Sequence, residues 1–265
     1  MTEDYIDFSN QTVAIGISQG INSAALVCYL AKYLEAKKPK QLLLYMAHFV
    51  DHSPKSLEFG TAVICYAIKH FQNVKIKATW NDVLEFFRKS KMIPHPSSSP
   101  CSRLLKFEPM QQWAFEEHDA DVDLVGYVRE ELKRRTAKQK KHTTLAKLYP
   151  IGHLSNEECF QIVDQEIGWH PPIYDYICGV HGFCKKCKKW MKRDKPHRIG
   201  KPGCRARIFN HNNCRPCKND EEEDYENNLQ FYVERTMLAA DLSKELGVYW
   251  GRNKAVNMCN ACSFD

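Results

Sequence analysis

The sequence predicts an α/β protein: a doubly wound, mainly parallel sheet followed by a cysteine-rich, basic, metal-binding module. Three observations predict it. Over the first 150 residues, apolar runs alternate with segments of helical periodicity, the pattern of a sheet covered on both faces. A small, polar turn, Ser18-Gln19-Gly20-Ile21-Asn22-Ser23, separates the first apolar run from the first helical segment. Strand, tight turn and helix start is the geometry that offers backbone N–H groups to an anion. Finally, six of the twelve cysteines stand in C-x-x-C pairs, at Cys184/Cys187, Cys214/Cys217 and Cys259/Cys262. The expected boundary lies between an α/β domain, 1–168, and the cysteine-rich module, 169–265.

Apolar runs at 12–17, 41–49, 73–79 and 122–127 predict buried strands, and helical periodicity between them predicts helices at 22–37, 54–71, 81–89 and 108–118. The Pro- and Ser-rich stretch "KMIPHPSSSPCSR", 91–103, reads as a loop, and "REELKRRTAKQKK", 129–141, as a strongly basic helix. Ser155 with Glu158 three residues later marks a capping box opening a helix at 155–167. From Trp169 to Cys217 the chain has little periodicity and needs ligation to hold a shape. A last helix is predicted at 226–246, before a short tail.

Apolar residues make up 43 % of the chain and charged residues 26 %, ordinary globular values. No apolar run is long enough to span a membrane, and "MTEDYIDFSNQ" lacks the layout of a signal peptide. A cytoplasmic location is therefore expected, in which the cysteines read as metal ligands and not as a disulfide framework. Cys28 and Cys65 lie in apolar helical patterns and are expected to be inert core residues. Cys159 and Cys178 have no paired neighbour and read as structural. The net charge of +6 is concentrated: Lys185 to Arg207 holds eleven Lys and Arg against one Asp, and "NDEEEDYEN" then reverses the sign. A folded basic block of this density is either a solvated surface or a phosphate-binding face for RNA or DNA. The lone histidines give no catalytic or ligand signal by spacing.

The turn "SQGINS" resembles the PP-loop, Ser-Gly-Gly-x-Asp-Ser, of the adenine nucleotide alpha-hydrolase superfamily. Ser18, Gly20 and Ser23 match; Gln19 replaces the first Gly and Asn22 the Asp. Further segments resemble the phosphoadenosine phosphosulfate (PAPS) reductase-like family in the same order. "PCSRLLKFEPM", 100–110, is similar to its Cys-Cys-x-x-x-Lys-x-x-Pro-Leu segment, with Pro100 in place of the first Cys. "LVGYVREELKRR", 124–135, is similar to its Gly-x-Arg-x-x-Glu-x-x-x-Arg element. "YPIGHLSNEECFQIV" followed by "PPIYD" resembles its Pro-Ile, Trp-Ser, helix, Pro-Leu-Tyr-Asp stretch, without the Trp. "FNHNNCRPCKN" is similar to the Asn-Cys-x-x-Cys segment of phage and bacterial members.

This resemblance implies a Rossmann-like fold and an adenine nucleotide, ATP or PAPS (or its non-phosphorylated analogue), with its phosphates on Ser18, Gln19, Gly20, Asn22 and Ser23. Asp51, in "AHFVDHS", resembles the strand-end Asp of the family and is a candidate nucleotide contact or a turn-forming Asp. Lys106, Arg129, Arg134 and Arg135 would neutralise charge at the α-phosphate. The resemblance also implies a [4Fe–4S] cluster on Cys101 and one C-x-x-C pair: Cys184/Cys187 stands where assimilatory reductases carry theirs, whereas Cys214/Cys217 matches the phage-type relatives in local sequence and is the expected partner, so that Cys101, Cys214 and Cys217 would leave one iron open. Cys184, Cys187 and Cys204 would then form an inserted zinc knuckle, with His181, His197 or a tail cysteine as fourth ligand. A single zinc ribbon on Cys184, Cys187, Cys214 and Cys217 stays open beside it. Cys259/Cys262 could complete a metal site, act as a redox pair or lie in an unstructured tail.

Three functions follow as expectations. The first is an ATP pyrophosphatase that adenylates a substrate and passes sulfur to it, with tRNA or DNA as acceptor through 185–207. The second is a sulfonucleotide reductase, set back by the lack of the family's Glu-Cys-Gly-x-His motif, for which "NMCNACSF" would have to substitute. The third is a non-catalytic nucleotide- or nucleic-acid-binding relative, its loop altered at Gln19 and Asn22. In that case Asn22→Asp is expected to switch on pyrophosphate release.

Overall fold

The computed structural model describes residues 7–33, 37–50, 55–90, 100–129, 131–132, 146–171, 182–184 and 189–191, with positions 237, 241, 244 and 245. The chain divides into two compact units. The first comprises Met1–Ala47, Lys55–Thr79 and Met110–Pro171; the second comprises His48–Pro54, Trp80–Pro109 and Pro172–Asp265.

In chain order the elements are β1 (Thr12–Ile17), α1 (Ile21–Tyr33), β2 (Gln41–Phe49), α2 (Ser56–His70), β3 (Val74–Asn81) and α3 (Val83–Ser90). A helical run α4, 100–116, follows, then β4 (Val122–Leu124), β5 (Lys147–Leu148), α5 (Asn156–Glu166) and a hairpin of β6 (Gly182–Cys184) and β7 (Lys189–Met191). The five-stranded sheet has the order β3-β2-β1-β4-β5. β1 pairs in parallel with β2, Thr12 opposite Gln41 through Ile17 opposite Met46, and with β4, Val13 opposite Val122. β4 and β5 are also parallel. β3 runs the same way: the Leu42 N–H donates to Asn73 O and the Val50 N–H to Asn81 O, so the register advances equally on both strands. The predicted α/β class and doubly wound parallel sheet are what the chain forms.

The order explains the burial. β1 is central and every residue of β2 after Gln41 is buried, which is why both read as unbroken apolar runs. β3 was expected to be buried and is not. It is the sheet edge, no residue on it is buried, and Lys75 and Lys77 alternate along it, which blunts the edge against further pairing. Tyr45, the register partner of Gly16, packs its ring against Trp113 of α4, and a Cβ on Gly16 would stand 3.2 Å from Met110 Sδ. α1 packs against α2 and α5, and Lys32 and Tyr66 both donate to the Glu166 carboxylate.

Three features depart most from expectation. Helix α4 begins at Pro100, inside the stretch read as a loop to 103. It alternates ordinary turns (Pro100–Ser102, Glu108–Gln111) with wide π turns (Arg103–Phe107, Gln112–Glu116) that break the simple helical period. β4 stops at Leu124, three residues short, because Tyr127 N–H turns back to Val125 O. β5 was not foreseen: two half-buried residues carry no apolar signal. The capping box is present as predicted, with the Glu158 N–H donating to Ser155 Oγ and the Ser155 N–H to Glu158 Oε2. Residues 133–141 of the basic helix lie outside the described residues, as does most of 226–246. Among the described residues no helix is long and apolar enough to cross a membrane.

Candidate functional site

Strand order reverses at β1. The chain runs outward through β2 and β3, then returns to place β4 on the other side of β1. The crevice beyond the C-terminal ends of β1 and β4 is thus the switch point, where open α/β sheets bind ligands. The Ser18–Ser23 turn leaves β1 at this point and runs directly into α1.

The two serines of the turn face one another. Their hydroxyl oxygens are 2.9 Å apart, and Ser18 N–H donates to Ser23 Oγ at 3.2 Å. Ser23 spends its single hydroxyl proton on Gly20 O at 3.0 Å, so the proton between the hydroxyls comes from Ser18. Ser18 is exposed and Ser23 buried. No acidic residue stands in the first turn of α1, which leaves its N-terminal dipole uncontested from within the helix.

Gln19 does not crowd this space. It adopts φ 61°, the left-handed region that a glycine would take at little cost. Its side chain is fully buried. It fits because α2 has Gly60 opposite: a Cβ there would stand 2.8 Å from Gln19 Cγ and 2.8 Å from Met46 Sδ. The large residue in the loop is accommodated by a missing side chain in the next helix.

The loop after β4 closes against the turn. A Cβ on Gly126 would lie 2.8 Å from Asn22 O and 3.3 Å from Ser23 N, so only glycine lets the backbones approach this closely. Asn22 Nδ2 donates to Glu131 Oε2 at 3.3 Å. Beyond, Tyr127 and Tyr149 stack with centroids 5.6 Å apart at the exits of β4 and β5. Beneath them Asp123 is buried beside Lys147 at 3.7 Å; burial pushes its carboxyl above the usual range, against the pull of the Lys147 ammonium. Burial likewise raises the Tyr149 phenol.

Among the predicted site residues, Ser18, Gln19, Gly20, Asn22 and Ser23 therefore come together with Gly126 and Glu131. Glu131 was not singled out from sequence, although it stands in the quoted "REEL". Arg129 is exposed and reaches Glu158 at 3.4 Å, on the capped first turn of α5. In the second unit, Lys106 holds its ammonium 4.5 Å from the centre of the Phe49 ring. Lys106 and Cys101 share the helical stretch that contains the first π turn, and Cys101 is a half-buried free thiol. His48 is also there, edge-on to Trp80 at 4.7 Å, and burial lowers its pKa.

Cys184 ends β6, opposite Lys189 on β7. Asp51, Arg134, Arg135, Cys187, Cys204, Cys214 and Cys217 lie outside the described residues, as do Cys178, His181, His197, Cys259 and Cys262. Among the described residues no group of three or more His, Cys, Asp or Glu could hold a metal ion. The expected core thiols divide. Cys28 is buried, which pushes its thiol up to about 12, and Cys159 is buried too. Cys65 is exposed on the outer face of α2, so its core assignment was wrong: the apolar pattern of α2 wraps beyond the face that packs.

Fold and turn together define a doubly wound α/β protein with its loop-to-helix turn at the switch point. Residues 208–265, which contain Cys214, Cys217, Cys259 and Cys262, match the CRISPR-associated protein family Cas_CXXC_CXXC. Among solved structures, the chain is similar to a PAPS reductase from Candida auris in complex with phosphate, at 14 % identity and a TM-score of 0.39, over 62 % of this chain and 78 % of that one. It is also similar to the U34-tRNA thiolase NcsA from Methanococcus maripaludis with its [4Fe-4S] cluster, at 14 % identity and a TM-score of 0.42, over 96 % and 81 %. A universal stress protein in complex with cAMP aligns at 12 % identity and a TM-score of 0.25, over 53 % and 98 %. No curated protein sequence matches the chain.

Proposed function

We propose that this chain binds an adenine nucleotide with its phosphates on the Ser18–Ser23 turn and uses ATP to adenylate a substrate. The observation that carries the reading is the placement of the serine pair. Two hydroxyls 2.9 Å apart sit at the N-terminus of α1, past the end of the central strand. In the proposed step an acceptor oxygen attacks the α-phosphorus, the bond to the β-bridging oxygen breaks, and pyrophosphate leaves with the electron pair. The turn's N–H groups, its hydroxyls and the α1 dipole would stabilise the leaving pyrophosphate. To do so the exposed Ser18 hydroxyl would turn its proton from Ser23 Oγ toward a phosphate oxygen. Lys106, Arg129, Arg134 and Arg135 are the proposed cationic partners of the phosphates, and Asp51 a proposed nucleotide contact.

The cysteines add a metal centre to this reading. Cys101 with Cys214 and Cys217 would hold an iron–sulfur cluster; it would supply sulfide to the adenylated substrate, where a carbon–sulfur bond would form as the bond to the acceptor oxygen breaks and AMP leaves with that oxygen. Cys184, Cys187 and Cys204 would hold zinc. The match over 208–265 favours a second set, because it spans both Cys214/Cys217 and Cys259/Cys262, four thiols that could close one metal site. The basic segment 185–207 is the proposed face for an RNA or DNA acceptor.

The test is ATP binding and pyrophosphate release by the full chain, purified anaerobically. Ser18→Ala and Ser23→Ala are each expected to weaken ATP binding by about tenfold, the effect of one lost charge-assisted hydrogen bond. ATP affinity unmoved by both substitutions would falsify the turn as the phosphate site. Metal analysis of the same sample is expected to find about four irons with labile sulfide per chain. Zinc alone would leave the nucleotide reading and remove the sulfur one.

A further inference from the structure

Among the described residues β3 is paired on one side only, by β2. Leu42 N–H donates to Asn73 O and Val50 N–H to Asn81 O, so along β3 the odd-numbered residues turn their backbone groups toward β2. Val74, Ile76, Ala78 and Trp80 therefore direct their N–H and C=O groups out of the edge. The side chains of three of them are uncovered as well. Ile76 is 41 % exposed, Trp80 is 65 % exposed, and Ala78 is exposed between them on the same face of the strand. An apolar row beside a line of outward donors and acceptors is a template for one more strand.

The lysines decide which strand it can be. Two copies of β3 laid antiparallel about a two-fold axis stay paired over most of their length with either Lys77 or Ala78 on the axis. With Lys77 there, two ammonium groups stand opposite one another and repel. With Ala78 there, no lysine faces a lysine. Ile76 lies opposite the partner's Trp80, Lys77 opposite the partner's Thr79, and Lys75 opposite the partner's Asn81. The outward groups of Ile76, Ala78 and Trp80 then meet as hydrogen-bonded pairs. Lys75 and Lys77 lie on the other face of the strand, where Lys77 Nζ is 3.6 Å from Glu117 Oε1 and Lys75 Nζ is 3.5 Å from His118 Nδ1. The charges that blunt the edge against an arbitrary strand thus leave this one pairing open. We propose that the chain forms a two-fold dimer through β3, with Ala78 on the axis and the two sheets continuing as one. Such an interface is self-complementary and closes on itself. It is independent of what the Ser18–Ser23 turn binds.

Sedimentation equilibrium of the full chain tests this. At about 50 μM the wild type is expected to have twice the mass of one chain. Ala78→Lys, which sets two ammonium groups on the axis, is expected to raise the dimer Kd at least about tenfold. Ile76→Lys and Trp80→Glu each weaken the dimer too. Ile76→Lys/Trp80→Glu, which places opposite charges across the axis, binds itself at least about tenfold more tightly than either single variant. If one of those two does not fold, Ala78→Lys carries the test together with amide exchange of the wild type. The N–H groups of Ile76, Ala78 and Trp80 are expected to be protected in concentrated solution and to exchange fast on dilution. A wild type that stays monomeric at about 50 μM overturns the proposal and leaves the edge to an extended segment of another protein. A dimer that withstands Ala78→Lys uses another surface and overturns it as well. Single variants that dissociate with no recovery in the double overturn the pairing of Ile76 with Trp80, and the proposal with it.

Discussion

Cys28 and Cys65 stand on neighbouring helices in similar apolar contexts and have opposite surroundings. Cys28 is sealed and its thiol pushed up to about 12, so the nucleophilic thiolate is scarce at neutral pH. Cys65 faces outward. Brief iodoacetamide treatment of the native protein is expected to label Cys65 and spare Cys28 and Cys159 until denaturant is added; mass spectrometry finding Cys28 labelled with Cys65 protected would reverse the assignment. The same sensitivity to a single contact governs the turn. Gln19 and Asn22 looked like damage to a phosphate loop because only the loop itself was legible. Their partners, Gly60 and Glu131, come from other elements, and no pattern within six residues reveals them.

Elements buried on both faces were the readable ones. β1 and β2 begin and end where their apolar runs do, and the helix at 155–167 announced itself by Ser155 and Glu158. Elements held by geometry were not. α4 mixes two helical periods, and β5 is two residues paired to β4. Contacts between elements also set which substitutions the fold tolerates. Gly60→Ala would thrust a Cβ to 2.8 Å from both Gln19 and Met46, and is expected to cost about 1–3 kcal/mol of stability by urea unfolding. Adding Gln19→Gly removes one of the two clashing chains at a φ that glycine favours, so the double variant should recover part of the loss. Losses that simply add would show that the two positions do not touch.

At the scale of the whole molecule, ion pairs tie distant parts of the chain. Glu166 joins α5 to Lys32 of α1 and Tyr66 of α2, and the Lys32 ammonium chiefly holds its carboxyl below the ordinary 4.5. A depressed folded pKa contributes stability that is full above the unfolded value and is lost as pH falls through the folded one. Glu166→Gln should therefore lower stability at pH 7 by about 0.5–1 kcal/mol, the range for a partly exposed pair. The difference from wild type should close as pH drops below the carboxylate range; a gap that persists in acid would mean the glutamate acts by packing. Charge was legible from composition, but the pairing of charges required the fold. The sheet order has one more consequence, for synthesis. β1 is made first, yet its neighbour β4 begins at Val122, more than a hundred residues later. Until the ribosome has delivered that stretch, the nascent chain holds its innermost strand with one side open, inviting a stranger's strand to add there. The crevice exists only once β4 has taken that side, so nothing that binds there can recruit the parts of the sheet.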